Sequence, residues 1–242
     1  MIETETLLNV VRFTVGISIL SYASYTDIKT RRAPNILWFL MGAIGAILLV
    51  VQYFTTGFQN LFYLLFIPIM IGLVYALYQV RLIFGGADAK AIMALAILVP
   101  IEPAINLIPL WKGGFMPFSW SIFSNSLIVF LFIPISILVF NITKKNIQFP
   151  YAFLGYKMNI KKAKEKFVWP LEKLVDGKRK FIYMPKDFDA QEELAEFEKN
   201  NIAEIWVTPK IPFMIPLTVG FIFAFIFGDI LFYLLTELLH FF

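Results

Sequence analysis

The stretch Phe84-Gly85-Gly86-Ala87-Asp88-Ala89-Lys90 places a carboxylate behind two glycines, with an apolar run on each side. A second carboxylate, Asp27, also follows directly on a long apolar run, in the segment Asp27-Ile28-Lys29-Thr30-Arg31-Arg32-Ala33-Pro34-Asn35. A charged side chain at membrane depth costs about 2.5–3.5 kcal/mol on insertion scales, so each aspartate is a candidate for function. The sequence therefore raises the question of whether the two carboxylates meet.

The composition is that of a multispan membrane protein. Hydrophobic residues make up 59% of the 242 residues and the mean hydropathy is +0.75, whereas apolar residues form about half of a soluble domain. The absence of cysteine excludes disulfides, thiolate zinc sites and cysteine nucleophiles. The only histidine, His240, lies close to the C-terminal end, and we interpret it as a lipid headgroup contact. We therefore predict neither a metal nor a cofactor.

Six apolar runs predict six transmembrane helices, since about 20 helical residues cross a bilayer. The runs are residues 7–25, 35–53, 61–80, 88–110, 119–142 and 211–235. The fourth is interrupted by Pro100, Glu102 and Pro103, and we expect it to fray or re-enter near Pro100. Arg12, near the start of the first run, is expected to extend to the nearest headgroups.

Residues 143–210 differ sharply from the rest of the chain. They carry 14 of the 21 basic residues and 10 of the 17 acidic ones. The pair Asp176-Gly177 predicts a hairpin with residues 180–184 as the returning strand. We also expect a helix that is capped by Asp187 or Asp189 and extends through Lys199, followed by a closing strand at 203–207. These features predict a small α+β domain.

The two aspartates are predicted to emerge on the same membrane face, because two crossings separate them. Two more crossings return the chain to that face before residues 143–210. Basic loop residues accumulate in the cytoplasm, and nearly all of them lie on this shared face, whereas Lys112 is alone on the other. The shared face carries Lys29, Arg31, Arg32, Arg81, Lys90 and the basic residues of 143–210. We therefore expect the aspartates on the cytoplasmic side and both termini outside.

The predicted fold is an all-α polytopic membrane protein with one small cytoplasmic α+β domain between helices 5 and 6. The membrane domain with helices 1–5 comprises residues 1–142, the cytoplasmic domain 143–210, and the segment with helix 6 residues 211–242. Asp229 lies 18 residues into the last crossing, roughly 27 Å along a helix, which places it near the outer face. We interpret it as an interhelical hydrogen-bonding group or an outer-interface residue.

A pair of carboxyl groups has a chemical use in peptide hydrolysis. Like charges a few ångströms apart cannot both be ionised, so such a pair holds one proton. The ionised group takes a proton from water and the protonated group polarises the peptide carbonyl. Gly85 and Gly86 would allow an extended substrate to approach the backbone closely. Spacing alone leaves open the alternative that the glycines end a loop and the aspartates cap helices.

Together, the two segments resemble the type IV prepilin peptidases, and specifically the archaeal preflagellin (archaellin) peptidases of the GxGD aspartic protease class. The first segment matches the family's aspartate followed by basic residues and a Pro-Asn pair. The second matches Gly-x-Gly-Asp-x-Lys, except that Ala87 replaces the second glycine. The matching residues are Asp27, Lys29, Arg31, Pro34, Asn35, Gly85, Gly86, Asp88 and Lys90.

The resemblance implies an endopeptidase in which Asp27 and Asp88 form the catalytic dyad. Its partners would be the short basic leader peptides of pre-archaellins or archaeal type IV prepilins, cut at the cytoplasmic face of the plasma membrane, and the lipid bilayer; we expect no nucleic acid. The bacterial relatives often also N-methylate their product and carry a cysteine-rich segment. Because this chain has no cysteine, we expect no methyltransferase activity.

Two other functions are compatible with intramembrane aspartates. Presenilin and signal peptide peptidase pair Tyr-Asp with Gly-x-Gly-Asp and a Pro-Ala-Leu triplet. Here Tyr25 stands two residues before Asp27, and the triplet does not occur. A proton-coupled transporter would place carboxylates near the bilayer midplane and would usually show repeat symmetry. No repeat is visible in this sequence, so the leader peptidase remains the favoured hypothesis.

Overall fold

The structure, a computed structural model, describes residues 2–240 except 59, 84, 106–107, 112–115, 176 and 183–189. The chain divides into two compact units. The first consists of Met1–Phe130 and Pro212–Phe242, and the second of Leu131–Ile211. Several residues with predicted positions or roles lie outside the described residues: Lys112, Asp176, Tyr183, Met184, Asp187 and Asp189.

Long helices form most of the first unit. The helices are α1 (Ile2–Thr30), α2 (Asn35–Thr55), α3 (Phe66–Gln79, preceded by a 3-10 helix at Leu61–Leu65), α4 (Gly86–Leu98), the first half of α5 (Phe118–Thr143), α9 (Met214–Phe227) and α10 (Ile230–His240). Within this unit α4 packs against α2 and α3, and α1 packs against α2 and α9. The buried side of α4 is rich in alanine, which allows neighbouring helices to approach closely.

Glycine permits the tightest of these contacts. A Cβ atom at Gly45 of α2 would lie 2.7 Å from the Cα atom of Leu98 in α4. No side chain fits into that space without moving the backbone of one helix. Gly45 therefore sets the distance between α2 and the end of α4, the helix that carries Asp88.

Four of the described helices are long and apolar enough to cross a membrane. They are Glu3–Thr30, Asn35–Thr55, Leu61–Gln79 and Phe118–Thr143, and the bent pair α9 and α10 would add a fifth span. The chain is therefore a mostly helical membrane protein, as predicted, but the predicted count of six spans is not confirmed. Helix α4 has 13 residues, about 20 Å, whereas the hydrocarbon core is about 30 Å thick. It ends at Leu98 because Val99, which precedes Pro100, has a non-helical backbone.

The last predicted crossing, 211–235, is not one straight helix. It breaks at Gly228, where φ is +87°, and α9 and α10 meet at a bend of 57°. Polar groups of α5 satisfy the interrupted backbone, since Asn125 donates to the Gly228 carbonyl at 2.8 Å and accepts from the Ile230 amide at 3.1 Å. Asp229 accepts a hydrogen bond from Ser121 at 2.9 Å. It is thus an interhelical hydrogen-bonding group, one of the two roles expected for it.

Arg12 is buried, and the expectation that it extends to the headgroups was wrong. Only 4% of its surface is exposed. Its guanidinium donates to the side chains of Asn9 at 2.9 Å and Gln52 at 2.7 Å, and Asn9 donates to the Ala104 carbonyl. A charged group can remain away from water when hydrogen bonds replace its hydration, and α1 and α2 supply these acceptors.

The described part of the second unit contains the end of α5, two small sheets and three short helices. The strands are β1 (Tyr156–Asn159), β2 (Val168–Pro170), β3 (Glu172–Val175), β4 (Lys178–Phe181) and β5 (Glu204–Pro209), and the helices are α6 (Tyr151–Leu154), α7 (Ile160–Glu165) and α8 (Ala190–Lys199). One antiparallel sheet has the order β1-β5-β2, and β3 and β4 form a hairpin.

The local predictions for this segment agree well with these elements. Val175 pairs with Lys178, so two residues connect the hairpin, and Gly177 has a φ of +72° that a tight hairpin turn requires. The returning strand begins at Lys178 rather than at 180. Helix α8 ends at Lys199 as predicted, and the closing strand β5 begins one residue later than expected.

Candidate active site

The first aspartate lies at the turn between α1 and α2. Asp27 belongs to the end of α1, and the Arg31 amide donates to the Asp27 carbonyl oxygen at 3.0 Å. Arg31 has a φ of 56°, the left-handed conformation that commonly follows a helix. Pro34 has an extended backbone and Asn35 begins α2. The first sequence motif therefore forms one short helix-to-helix connection.

The second aspartate lies in the first turn of α4. Gly85 caps the helix, Gly86 begins it and Asp88 follows. A Cβ atom at Gly85 would lie 2.0 Å from Oδ2 of Asp88, whereas one at Gly86 would lie 3.5 Å from the Tyr78 hydroxyl oxygen. The observed position of the Asp88 carboxyl group therefore requires glycine at 85, but an additional methyl group fits at 86.

A hydrogen bond joins the two motifs. The Lys90 ammonium group donates to the side-chain oxygen of Asn35 at 2.9 Å, although 55 positions separate these residues in sequence. Asn35 is the first residue of α2, and Lys90 lies two residues after Asp88. This contact holds the beginnings of α2 and α4 side by side, so both aspartate segments lie at one end of the first unit.

The two aspartates interact electrostatically. Both are partly buried, and Asp88 lies in the first turn of a helix that is not among those long enough to cross a membrane. Burial raises the pKa of the Asp88 carboxyl group to about 7, and the negative charge of Asp27 contributes in the same direction. Asp88 is therefore close to half-protonated at neutral pH. The positive charge of the Arg31 guanidinium group also interacts with the Asp27 carboxyl group.

The remaining motif residues have different surroundings. The Lys29 ammonium group lies 4.5 Å from the centre of the Tyr25 ring, and Pro34 is exposed at the turn. The hydroxyl group of Tyr78, a residue that was not predicted as part of the site, lies beside Gly86. Its position in the sequence did not indicate a role in the site, because tyrosines near the ends of apolar runs are common at membrane interfaces.

Two carboxyl groups that interact electrostatically can divide the roles of general base and general acid. A partly exposed ionised carboxyl group can accept a proton from water, and a protonated one can donate to a peptide carbonyl or a leaving nitrogen. Among the residues that the structure describes, no group of three His, Asp or Glu side chains could hold a metal ion. The two carboxyl groups could therefore supply both the base and the acid that hydrolysis of a peptide bond needs.

The sequence matches two protein-family models. Residues 14–142, which include Asp27 and Asp88, match the model described as the type IV leader peptidase family. Residues 147–230 match the model described as archaeal peptidase A24 C-terminus type II.

Three relatives share similarity over most of the chain, and each is named preflagellin peptidase. The protein from Methanococcus maripaludis is 28% identical over 233 residues, which cover 90% of this chain and 96% of that protein. The protein from Methanococcus voltae is 26% identical over 235 residues, with the same coverage. The protein from Methanocaldococcus jannaschii is 28% identical over 243 residues, which cover 90% of this chain and 94% of that protein.

Proposed function

Because the chain belongs to the type IV leader peptidase family, we propose that it is an aspartic endopeptidase that removes the basic leader from preflagellins or archaeal type IV prepilins. Asp27 and Asp88 are its catalytic pair. Three relatives that are named preflagellin peptidase and align over 90% of this chain favour a preflagellin substrate. The alternatives, a presenilin-like protease and a proton-coupled transporter, have no comparable support.

The observation that carries the proposal is the contact between the two motifs. Two segments that are far apart in sequence are joined by the hydrogen bond between Lys90 and Asn35, and the aspartate of one segment acts electrostatically on that of the other. Both aspartates stand at helix ends rather than in the middle of a long helix. This position suits a protease that cuts at the membrane border better than a transporter with carboxylates at the bilayer midplane.

In the proposed mechanism, the pair holds one proton, on Asp88, and hydrolysis proceeds in two steps. Ionised Asp27 takes a proton from water as the water oxygen attacks the scissile carbonyl, while protonated Asp88 donates a hydrogen bond to the carbonyl oxygen. Collapse of the tetrahedral intermediate then breaks the C–N bond, and the proton held by Asp27 passes to the leaving nitrogen. The raised pKa of Asp88 supports its role as the acid, because the group retains its proton close to neutral pH.

The remaining motif residues act around this pair. Lys90 and Asn35 hold the two segments in register, Gly85 leaves room for the Asp88 carboxyl group, and Lys29, Arg31, Pro34 and Gly86 shape the two loops. With residues 88–110 counted as one crossing, the positive-inside tendency places the site and residues 143–210 on the cytoplasmic side and both termini outside. The absence of cysteine favours a peptidase without methyltransferase activity.

The experiment is to incubate the purified, reconstituted chain with a tagged preflagellin and to identify both products. We expect one cut between the basic leader and the apolar helix, with no methyl group on the new N-terminus. A processed product of a different length, or cleavage inside the apolar helix, would favour the presenilin-like alternative. Preflagellin that remains intact under all conditions would contradict the proposed function.

A further inference from the structure

The two faces of the sheet β1-β5-β2 are covered differently. Along β5 the side chains alternate, so that Ile205 and Val207 belong to one buried cluster and Trp206 belongs to another. The first cluster includes Leu194 and Phe197 of α8. On the opposite face, Trp206 stacks on Tyr151 of α6, with ring centres 5.3 Å apart. We call this second side the α6 face.

The α6 face exposes large aromatic side chains. Trp169 pairs with Thr208 in the sheet, so it shares the side of Trp206, and it is 44% exposed. In residues 149–154, which we call the α6 segment, Phe149 and Phe153 are 64% and 41% exposed, and their ring centres lie 5.5 Å apart. Aromatic rings in such a position are normally covered by a partner or by the lipid interface.

Lysines accompany these rings. The Lys157 ammonium group lies 5.6 Å from the centre of the Trp206 ring, and that of Lys210 lies 5.0 Å from the centre of the Trp169 ring. Lys144 and Lys145, just before the α6 segment, are exposed as well. The exposed acidic side chains Glu196 and Glu198 lie instead on α8, the helix that covers the opposite face. Glu204 shares the α6 face, at the end of β5 furthest from Lys210.

The α6 segment is fixed to the end of a membrane-crossing helix. Helix α5 ends at Thr143, and the Asn141 side chain in its last turn donates to the carbonyl oxygens of Ala152 at 2.9 Å and Gly155 at 2.6 Å. The Phe140 ring also packs edge-on against Tyr156 at 5.8 Å. The exposed phenylalanines are therefore held beside the end of α5, one of the helices that are long and apolar enough to cross a membrane.

We propose that the α6 face binds the surface of an anionic lipid bilayer, with Phe149, Phe153 and Trp169 among the headgroups and its lysines on the lipid phosphates. Aromatic rings and lysines are the residues that anchor proteins at this interface. Each lysine at an anionic surface strengthens binding about fivefold. Because the α6 segment is attached to α5, the face stays within reach of the bilayer. Its binding to the lipid surface therefore costs no further translational freedom.

Single-cysteine labelling tests this proposal cleanly, because the natural chain has no cysteine. The full chain carrying Phe149→Cys is labelled with an environment-sensitive fluorophore and placed in nanodiscs of phosphatidylcholine, with or without phosphatidylglycerol. Quenching by a headgroup-level spin-labelled lipid is compared with quenching by aqueous iodide. Lys199→Cys, at the exposed end of α8, is the matched control on the other face.

We expect the label at 149 to be quenched several-fold more by the lipid probe than the label at 199, with the reverse order for iodide. Phosphatidylglycerol should increase lipid quenching at 149, and Lys144→Glu with Lys145→Glu should abolish that increase while circular dichroism stays unchanged. Equal iodide access at 149 and 199 would overturn the proposal. An identical lipid signal in both kinds of nanodisc would also overturn it, since the lysines would then have no anionic partner.

Discussion

Lys90 donates a hydrogen bond to Asn35 across 2.9 Å and thereby ties the beginning of α4 to the beginning of α2. Each of these residues lies close to one aspartate, Asn35 after Asp27 and Lys90 after Asp88. The bond therefore connects the two halves of the proposed site without either residue supplying the reacting proton. Its removal should disturb the position of the carboxyl groups and leave their chemistry intact.

Replacing Lys90 with methionine or Asn35 with alanine should lower kcat about tenfold. A hydrogen bond to a charged group contributes about 1.5–3 kcal/mol, and the exposure of Lys90 places the effect near the lower limit. The double variant should be no slower than either single variant, because one interaction is lost in all three. Additive losses in cleavage assays would show that the two residues act independently.

Gly85→Ala should reduce activity about a hundredfold, because the new methyl group would displace the Asp88 carboxyl group. The backbone of Gly85 is extended, with φ of −91°, so alanine causes no backbone strain there. Gly86→Ala is the matched control and should keep most activity, since its methyl group meets only an ordinary contact with Tyr78. Similar losses in the two variants would contradict the steric argument.

The rate of cleavage should fall as the pH rises above about 7. The pKa of Asp88 is raised from 3.8 to about 7, so the group holds its proton below that pH and loses it above. Because the proposed acid is protonated Asp88, kcat/KM should decrease about tenfold per pH unit on the alkaline side. A pH profile measured in reconstituted membranes that rises from 7 to 9 would exclude this assignment of the acid.

Arg12→Met should destabilise the fold without altering the chemistry. The substitution leaves Asn9 and Gln52 without their buried donor, at a cost of about 1–3 kcal/mol. Thermal unfolding in detergent should therefore occur at a lower temperature, whereas kcat of the folded protein should stay unchanged. Arg12 lies 15 residues before Asp27 on α1, about 22 Å along the helix. A selective loss of kcat would indicate a connection to the site that this distance does not suggest.

Local sequence signals were sufficient for most helices and for the motifs. The bounds of α2 and α5 differ from the apolar runs by only one or two residues, because lipid-facing helices must be apolar along their whole length. The segment from Asp27 to Asn35 contains a basic cluster and a proline, which predict a helix end and a new start. The pairing of the two motifs could be anticipated only from the resemblance to a family and from an even number of crossings.

Long-range contacts account for the features that the sequence did not reveal. The break at Gly228 depends on Asn125 of α5, which accepts from Ile230 and donates to Gly228, and nothing near Gly228 in sequence identifies that partner. The burial of Arg12 likewise depends on Gln52, 40 residues away. Helix α4 is shorter than the predicted fourth crossing because it ends just before Pro100, and it is buried against α2 and α3.

The most direct test of the carboxylate pair is single-turnover cleavage of a preflagellin by the reconstituted chain carrying Asp27→Asn, Asp88→Asn or Asp229→Asn. Each substitution preserves side-chain shape and removes one ionisable group. We predict that the first two variants lose activity about a thousandfold, whereas Asp229→Asn, at the helix break bonded to Ser121, keeps most of it. Cleavage at the wild-type rate by either Asp27→Asn or Asp88→Asn would contradict the account.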